Sequence, residues 1–484
     1  MDRREFVKKS GAGGAALMLA GAGGARAAGP NVLLFIVDQM REPRWFPEGA
    51  RLPSLERLKQ RGVAFTNHFV SAVPCSPSRA CLMTGLHMDQ NGVFNNMNRA
   101  EQPPLDPGIP TIGRLFRDAG FSTPYFGKWH LGQPLDNRER GGLDAYGFEW
   151  LMSPPRRFAF PGLLGDGSVA RGAAEWIKGH ASRGAPWLLT VSLVNPHDIC
   201  SYPRLDVPPV LVPDVTERLP ENWDDDLAGK PRCQREYQEA YAAAAGKMDL
   251  NDEKTWRHYL DYYFYLTRRS DALLGEVLDA LAASGQEGNT IVVFTSDHGD
   301  MGGSHRLRSK GPCAYRENVN VPLVIAAPGS ASQGKQCAAL TQNVDLFPTL
   351  AGLIGRGVAL PSPLSGRDLA PALADPEGRP LSDHVLFSFT DNINVRLFNQ
   401  RLGKPGVTGP HHIRAIRERD WAYARYFDPA SAEQEFELYD LKNDPLELHN
   451  LAGDPGHRAM EKEMADKLGE AEEIEMRCPR PARG

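Results

Sequence analysis

NVLLFIVDQ, residues 31–39, is an uninterrupted apolar run that ends in two polar residues. Its length and its lack of alternation are typical of a parallel strand that is covered on both faces. Asp38 and Gln39 follow at the carboxyl end of this strand, which is where open α/β sheets bind their ligands. The stretch therefore predicts a parallel sheet with a functional site at one edge.

Three further apolar runs of strand length end in the same way, at residues 122–126, 187–194 and 289–296. Each is followed by ionisable side chains, in order Lys128 and His130, His197, and Asp297 and His298. The alternation of these strands with helical segments predicts an α/β fold, with a large mixed, mostly parallel sheet sandwiched by helices. Because parallel strands end at the same edge, we expect these side chains to meet there, with Lys310 in the glycine-rich loop that follows.

The pattern changes after about Pro380. Short β-like segments follow one another with no long helix between them, and a final helix is predicted over residues 457–473. We expect a small C-terminal antiparallel sheet with a helix. The predicted division is a main α/β domain over residues 29–380 and a smaller α+β subdomain over 381–484. Residues 202–252, rich in Pro, Asp and Glu, are expected to form a surface insertion at the rim of the site.

The first 28 residues have the pattern of an export signal. Arg3 and Arg4 precede a short, weakly apolar stretch and a small-residue cleavage site around Ala27, as in twin-arginine signal peptides, which export folded proteins to the periplasm or the medium. No later run is long enough for a stable membrane span. A net charge of −5 and the lack of a basic run give no reason to expect nucleic acid as a partner. Seven cysteines are an odd number, and the sequence does not pair them.

Residues 74–85, PCSPSRACLMTG, combine a thiol, a proline and a fixed cation. Pro77 favours a helix that begins near Ser78, so that Cys75 lies at its positive end and Arg79 one turn further on. Backbone N–H groups and a guanidinium that face the same point favour an anion. The run therefore predicts an oxyanion site built around Cys75.

This run resembles the signature of the type I sulfatases of the alkaline-phosphatase-like superfamily, Cys-x-Pro-Ser-Arg followed by Thr-Gly. The resemblance extends from Asn31 to about Leu451 and implies that Cys75 is oxidised to formylglycine, whose hydrated aldehyde is the nucleophile. It implies that a formylglycine-generating enzyme acts before export. It also implies that the substrate is a sulfated small molecule or sugar, an aryl or carbohydrate sulfate monoester.

The resemblance also implies a divalent metal site. The matching positions are Asp38, Gln39, Asp297 and His298. The family usually binds Ca²⁺, which prefers such oxygen ligands. Gln39 departs from the aspartate common in the family, and the imidazole of His298 leaves Mg²⁺ or Mn²⁺ open.

The catalytic positions that match the family are Cys75, Arg79, Lys128, His130, His197 and Lys310. Our hypothesis is that the cation and the basic side chains stabilise charge on the sulfate oxygens. His197, with Lys310, protonates the departing alcohol, and His130 is the base that releases sulfate. Cys75, Arg79 and Thr84-Gly85 argue against a metal phosphatase that uses an unmodified residue.

Two alternatives remain open from the sequence. A phosphonate monoester or phosphodiester hydrolase would use the same nucleophile, because tetrahedral anions present similar oxygens to this cluster. A catalytically inactive binding protein would keep the fold, although such a protein is expected to have lost some of the polar positions that are filled here. The alcohol that is esterified and the oligomeric state are not encoded in any pattern that we find.

Overall fold

The computed structural model describes residues 29–97, 102–132, 142–153, 160–180, 184–204, 212–355, 360–361, 364–390, 395–396, 399–400, 403 and 406–476. The export signal predicted for residues 1–28 lies outside the described residues, as does Cys478. In the part of the chain that is described, no helix combines the length and the apolar character needed to cross a membrane.

The strands of the described residues form one large sheet, one small sheet and a two-stranded ribbon. In chain order they are β1 (Asn31–Asp38), β2 (Val63–Phe65), β3 (His68–Phe69), β4 (Pro124–Gly127), β5 (Glu149–Met152), β6 (Leu188–Pro196), β7 (Thr290–Ser296), β8 (Leu323–Ala326), β9 (Gln336–Cys337), β10 (Thr341–Gln342), β11 (Val385–Phe389), β12 (His412–Arg417), β13 (Trp421–Phe427) and β14 (Gln434–Asp440). The large sheet has the order β5-β4-β6-β1-β7-β8-β2-β9.

Strand β1 is at the centre of the large sheet and is parallel to β6 on one side and to β7 on the other. All eight of its residues are buried. Leu33, Phe35 and Val37 pack into the core on one face, and Leu34 and Ile36 into the core on the other. This explains why the run is apolar without alternation. Only β8 runs antiparallel to its neighbours β7 and β2, so the predicted mixed, mostly parallel sheet is confirmed for the described residues.

Helices cover both faces of this sheet. The α-helices of the described residues are, in chain order, α1 (Pro53–Lys59), α2 (Cys75–Thr84), α3 (Met88–Asn91), α4 (Ile112–Asp118), α5 (Pro161–His180), α6 (Arg232–Ala245), α7 (Glu253–Ala283), α8 (Arg316–Val319), α9 (Leu346–Leu353), α10 (Ala370–Ala374) and α11 (Arg458–Ala471). Helices α1, α5 and α7 contribute side chains to the core on one face, and α2, α4 and α9 to the core on the other. The predicted sandwich of helices around the sheet is therefore present.

The small sheet has the order β11-β12-β13-β14 and is antiparallel throughout. One of its faces packs against α11, through Leu438 of the sheet and Met464 and Leu468 of the helix. Its other face packs against α6, where Phe387 and Tyr426 share a core with Tyr237. The predicted C-terminal antiparallel sheet with a helix is confirmed.

One local prediction was wrong, and another missed a helix. Helix α2 begins at Cys75 and not near Ser78, because Pro77 occupies the first turn, where its missing N–H needs no partner. For residues 202–252 the sequence predicted a surface insertion but no helix, and the structure has α6 there, directly after Pro231. The Ala- and Glu-rich sequence of α6 favours a helix intrinsically, and its buried tyrosines anchor it to the small sheet.

Candidate active site

Four neighbouring parallel strands, β4, β6, β1 and β7, end at the same edge of the large sheet. The residues that follow them are the ones singled out in the sequence, namely Lys128 and His130, His197, Asp38 and Gln39, and Asp297 and His298. The amino-terminal end of α2 and the loop that carries Lys310 lie at the same edge. Residues from six segments that are far apart in the chain thus converge on one buried cluster.

Cys75 is the first residue of α2 and is fully buried. Its Sγ lies 3.1 Å from Nε2 of His298 and 3.7 Å from Oδ1 of Asp38. Two hydrogen bonds fix the first turn of the helix: the Ser76 N–H donates to Oδ1 of Asn96 over 2.9 Å, and the Ser76 hydroxyl donates to the carbonyl oxygen of His130 over 2.7 Å. The thiol is therefore held against the ends of β1 and β7.

Arg79 lies one turn further along α2 and is 1% exposed. Its Nε donates to Oδ2 of Asp297 over 2.8 Å and its Nη2 to Oδ2 of Asp38 over 3.0 Å. Its Nη1 donates to the Ser192 hydroxyl and to the carbonyl oxygen of Lys128, over 2.8 and 3.0 Å. The planar guanidinium thus connects the two carboxylates, an arrangement that its rigid donor fork suits. In this geometry Arg79 positions Asp38 and Asp297 relative to the nucleophile position.

Lys128 follows β4, and its ammonium group contacts the carboxylate of Asp38. Its Nζ lies 2.6 Å from Oδ2 of Asp38, and its side chain is 13% exposed. The residue before it, Gly127, has a φ of 107°, and a Cβ there would lie 1.9 Å from the carbonyl oxygen of Ser192. Glycine is therefore required for β4 to approach β6 closely and to turn Lys128 toward the site.

Asp38, Cys75, Asp297 and His298 offer donor atoms that all lie within 4.8 Å of one another. Nε2 of His298 is 3.8 Å from Oδ1 of Asp38 and 3.7 Å from Oδ1 of Asp297. These distances are too long for hydrogen bonds, but donors placed ~2.4 Å from a shared cation at right angles are about 3.4 Å apart. Nδ1 of His298 faces the carbonyl oxygen of Gly299 at 2.9 Å, which leaves Nε2 to act as a ligand. The donor set therefore fits a divalent cation.

The charges in the cluster move the pKa values of its acids in opposite directions. Burial alone would raise the pKa of Asp38, but the positive charges of Lys128 and Arg79 hold it well below its usual value. Burial and the negative charge of Asp38 raise the pKa of Asp297. Two carboxylates that share one small space repel each other, and a divalent cation between them relieves that repulsion.

The predicted ligand Gln39 makes contacts that the sequence did not reveal. Its backbone N–H donates to Oδ1 of Asp297 over 3.0 Å. Its side-chain Nε2 donates to Oδ2 of Asp300 over 2.6 Å, and its Oε1 accepts from Nζ of Lys310. Cys200 completes this group, with its Sγ 2.9 Å from the same Oε1 and 3.3 Å from Nζ of Lys310.

The two predicted proton-transfer residues lie among the basic side chains. Burial lowers the pKa of His197 well below its usual value, and the charges of Lys310 and Lys128 lower it further. Burial, Lys128 and Arg79 lower the pKa of His130 in the same way. These surroundings favour the neutral imidazole in both residues, in which one ring nitrogen carries a proton and the other a lone pair.

All ten residues predicted for the site therefore lie at this edge of the sheet. Sequence reasoning missed Asp300 and Cys200. Asp300 follows the predicted Asp297-His298 pair by two residues, in a stretch that resembles an ordinary turn. Cys200 is half-buried, whereas the other described free cysteines are buried. No local pattern in the sequence distinguishes it from them.

Comparisons with known proteins agree with this arrangement. The family model described as Sulfatase matches residues 30–356, and the model described as N-sulphoglucosamine sulphohydrolase, C-terminal, matches residues 303–474. A Delta 4,5-hexuronate-2-O-sulfatase of Bacteroides thetaiotaomicron is 29% identical over 455 residues, which cover 91% of this chain and 88% of that protein.

Solved structures show the same similarity. A structure described as a 2-O GAG sulfatase has a TM-score of 0.74 and 27% identity, and the match covers 92% of both chains. A phosphonate monoester hydrolase of Agrobacterium radiobacter has a TM-score of 0.70 over 91% of this chain and 95% of that one; at 24% identity this likeness concerns the fold. Since the Sulfatase model spans most of the chain and the relatives match it over nearly their full length, the chain belongs to the sulfatase family and is an enzyme that hydrolyses sulfate esters.

Proposed function

We propose that the enzyme cleaves a sulfate monoester with a formylglycine formed from Cys75 and with a divalent cation bound by Asp38, Gln39, Asp297 and His298. The observation that carries the proposal is the position of Cys75 Sγ within the buried group of metal-ligand atoms. The hydrated aldehyde supplies a hydroxyl nucleophile for sulfur, and the cation neutralises charge on the sulfate oxygens. The other side chains bind, orient and exchange protons.

Lys128 and Lys310 provide the positive charge that the sulfate oxygens and the leaving oxygen require. Both ammonium groups are held by acceptors in the cluster, Lys128 by Asp38 and Lys310 by Gln39. They need not reorganise as charge develops, and preorganisation of this kind is usually the largest electrostatic contribution to catalysis. Arg79 keeps the two carboxylates in register and contributes a third fixed charge.

His197, with Lys310, protonates the oxygen of the departing alcohol. His130 then takes the proton of the remaining hydroxyl of the hydrated aldehyde at position 75, which expels sulfate and restores the aldehyde. The low pKa of His197 has burial and two neighbouring lysines as its causes. An anionic sulfate ester placed between those lysines offsets their charge and restores the proton affinity of the imidazole. His197 can then hold a proton at the ring nitrogen that faces the leaving oxygen.

For the cation we propose Ca²⁺. Two carboxylates and the amide oxygen of Gln39 are hard oxygen ligands, which Ca²⁺ prefers. His298 is compatible with Mg²⁺ or Mn²⁺ as well. Isothermal titration of the protein stripped with EDTA tests the choice: Ca²⁺ is expected to bind more tightly than Mg²⁺ and Mn²⁺, and the reverse order would contradict it.

For the substrate we propose a carbohydrate sulfate, in line with the hexuronate named for the Bacteroides thetaiotaomicron relative. The walls that select it are expected in residues 202–252 and 390–412. The second of these segments carries the basic residues Arg396, Arg401 and Lys404, which would favour an anionic sugar. Arg396 is within the described residues, whereas Arg401 and Lys404 lie outside them.

A substrate panel tests the activity and the substrate class together. We expect turnover of sulfated sugars to exceed that of an aryl sulfate and of choline sulfate, and kcat/KM for an aryl phosphonate to be lower still. If the enzyme were instead a phosphonate monoester or phosphodiester hydrolase, like the Agrobacterium radiobacter enzyme that shares its fold, kcat/KM would be higher for the aryl phosphonate than for the sulfate esters. Lack of turnover of every sulfate ester by protein that carries formylglycine would favour the inactive binding protein instead.

We further propose that residues 1–28 direct export through the twin-arginine machinery after a formylglycine-generating enzyme has acted, and that the mature protein comprises domains 29–380 and 381–484. The adjacent Arg3 and Arg4 support the route. Replacement of both by lysine is expected to retain the protein, with its signal, in the cytoplasm. Unchanged export would contradict the proposal.

A further inference from the structure

We propose that Asp300 is a positioning residue that, together with Lys310, fixes which end of the Gln39 amide faces each side of the site. The inference rests on the metal site of the proposed function, to which Gln39 belongs. It explains why position 39 carries a neutral amide in this chain and not a carboxylate.

Asp300 is fully buried, and the groups around it are hydrogen-bond donors. Its Oδ1 accepts from the Gly302 N–H over 2.7 Å and from the Tyr259 hydroxyl over 3.1 Å. Its Oδ2 accepts from Nε2 of Gln39 over 2.6 Å. Both oxygens of Asp300 thus accept hydrogen bonds, as those of a carboxylate do; a carboxylate donates none.

Lys310 lies at the other end of the same amide. Its ammonium only donates hydrogen bonds, and it donates to Oε1 of Gln39. The amide is therefore placed between a pure acceptor and a pure donor. Only one of its two orientations satisfies both neighbours, with the NH₂ toward Asp300 and the oxygen toward Lys310. A flipped amide would place NH₂ against ammonium and oxygen against carboxylate.

The backbone of Gln39 is held as firmly as its side chain. Its φ is 76°, in the left-handed region that residues other than glycine rarely adopt. Its N–H donates to Asp297, and its carbonyl oxygen accepts from the Tyr263 hydroxyl over 2.9 Å. Because the main chain cannot rotate to compensate, the side-chain contacts set the orientation of the amide. Cys200 Sγ, 2.9 Å from Oε1, and the Ser309 hydroxyl, 3.3 Å from Nε2, can each donate or accept, so the charged Asp300 and Lys310 are the neighbours that distinguish the two orientations.

This arrangement requires that one of residues 39 and 300 donates a hydrogen bond and the other accepts it. A glutamate at position 39 would have almost the same shape as glutamine but would put a carboxylate oxygen against Oδ2 of Asp300, where 2.6 Å now separates donor and acceptor. The two like charges would repel each other in a buried space. If Asp300 were asparagine, its NH₂ could donate to that glutamate, and the hydrogen bond would be restored with its direction reversed.

The test is a double-mutant cycle in protein stripped with EDTA, with the melting temperature as the readout. We expect Asp300→Asn to lower the melting temperature in the wild-type background and to raise it in the Gln39→Glu background. A change of sign of this kind shows that the two side chains are energetically coupled, as residues that share a hydrogen bond are. If Asp300→Asn destabilises both backgrounds equally, the inference is overturned.

Calorimetric titration with Ca²⁺ gives a second readout on the same proteins. We expect Asp300→Asn to weaken Ca²⁺ binding ~10–100-fold, the usual effect of losing a residue that orients a ligand. A matched control is Asp271→Asn, because Asp271 is a buried carboxylate that accepts the N–H groups of Ser54 and Leu55, away from the site. It is expected to lower the melting temperature and to leave Ca²⁺ affinity unchanged. Equal Ca²⁺ affinity in wild type and Asp300→Asn would overturn the inference.

The two readouts separate this inference from the proposed function. Wild-type protein that binds no divalent cation would contradict the proposed metal site, while the stability cycle would still decide the pairing of Gln39 with Asp300. If Asp300→Asn does not yield folded protein, recovery of folded protein in Gln39→Glu/Asp300→Asn supports the pair. Failure of that double variant to fold overturns it.

Discussion

The cluster at the sheet edge and the cluster around Glu437 are both buried and polar, but they are built differently. Oε1 of Glu437 accepts from Gln234, Tyr315 and Tyr439 over 2.7–3.1 Å, and Oε2 accepts from Tyr426 over 2.6 Å. Beside Cys75, Nε2 of His298 lies 3.8 Å from Oδ1 of Asp38 and 3.7 Å from Oδ1 of Asp297, too far for hydrogen bonds.

The difference shows what distinguishes a functional cluster from a structural one. The carboxylate oxygens of Glu437 are satisfied by neutral hydroxyl and amide donors. This cluster therefore joins the small sheet to α6, through Gln234, and to the residue before α8, Tyr315, and it needs no ligand. The site at the sheet edge instead brings cations and carboxylates together around a shared centre. Burial of charge is common to both, and the arrangement of the donors decides which of them can bind a ligand. Four changes test this contrast.

Lys128→Ala is expected to have the largest effect and to act on catalysis. Loss of a preorganised cation typically costs ~10²–10³-fold in kcat. The melting temperature should change little, because Lys128 is partly exposed and Asp38 keeps its bond to Arg79. Steady-state kinetics and thermal unfolding of the same preparation check this. A large fall in melting temperature with unchanged kcat would show that the sheet-edge cluster is structural as well.

Glu437→Ala should show the opposite behaviour. It removes the shared acceptor of four buried donors; Gln234 and Tyr315 keep a second acceptor, whereas the hydroxyl of Tyr426 loses the acceptor to which it donates. We expect a loss of about 3 kcal/mol in the free energy of unfolding. The kcat of the folded fraction should remain that of the wild type, because Glu437 belongs to the small sheet. Urea titration followed by assays at a temperature where the variant is fully folded makes the measurement. A lowered kcat in that folded fraction would remove the distinction between the two clusters.

Removal of divalent cations by EDTA should lower the free energy of unfolding of the wild type, because the site at the sheet edge loses its cation, whereas the cluster around Glu437 should be unaffected. Readdition of Ca²⁺ at 100 times its Kd is expected to restore about 2.7 kcal/mol. Asp297→Asn should abolish this response, whereas Glu437→Ala should retain it. Differential scanning calorimetry with and without Ca²⁺ decides the matter, and a Ca²⁺ response that survives in Asp297→Asn would place the cation elsewhere.

The smallest effect is expected at Asp225, which links residues 225–230 to the loop after β7. Its carboxylate accepts from Lys230 and lies 2.5 Å from Nδ1 of His305. Although burial opposes ionisation, these partners lower the pKa of Asp225 from 3.8 to about 2. The stabilisation is therefore complete above pH 4 and is lost as the pH falls toward 2. After allowance for solvent screening we expect about 1 kcal/mol.

Asp225→Asn should remove this contribution at pH 7. Between pH 4 and 2 the free energy of unfolding of the variant should therefore fall less steeply than that of the wild type. Urea unfolding across that pH range makes the comparison, with Asp271→Asn as the control for loss of a buried carboxylate elsewhere. If the free energy of unfolding falls as steeply between pH 4 and 2 in Asp225→Asn as in the wild type, other carboxylates cause the loss of stability in acid.

Much of the site was predictable because its position depends on strand ends. Apolar runs without alternation identify parallel strands, and parallel strands must end together, so Asp38, His197 and Asp297 could be placed at one edge before any coordinates were known. The small sheet was recognisable from its short β-like segments, although β11 was not singled out.

The remaining features depend on contacts between residues distant in sequence. Asp300 and Gln39 are 261 positions apart, and only the register of β1 against β7 brings them together. The start of α2 at Cys75 depends on how Asn96 and His130 hold its first turn. Local propensity carries no information on any of these contacts.

The central claim is that position 75 carries the nucleophile in modified form beside a cation. Mass spectrometry of the peptide that contains residue 75, on preparations that differ in activity, tests it most directly. We predict that the fraction of molecules with formylglycine at position 75 rises in proportion to kcat, and that Cys75→Ala has no turnover. Full activity in protein whose Cys75 is an unmodified thiol would contradict the account.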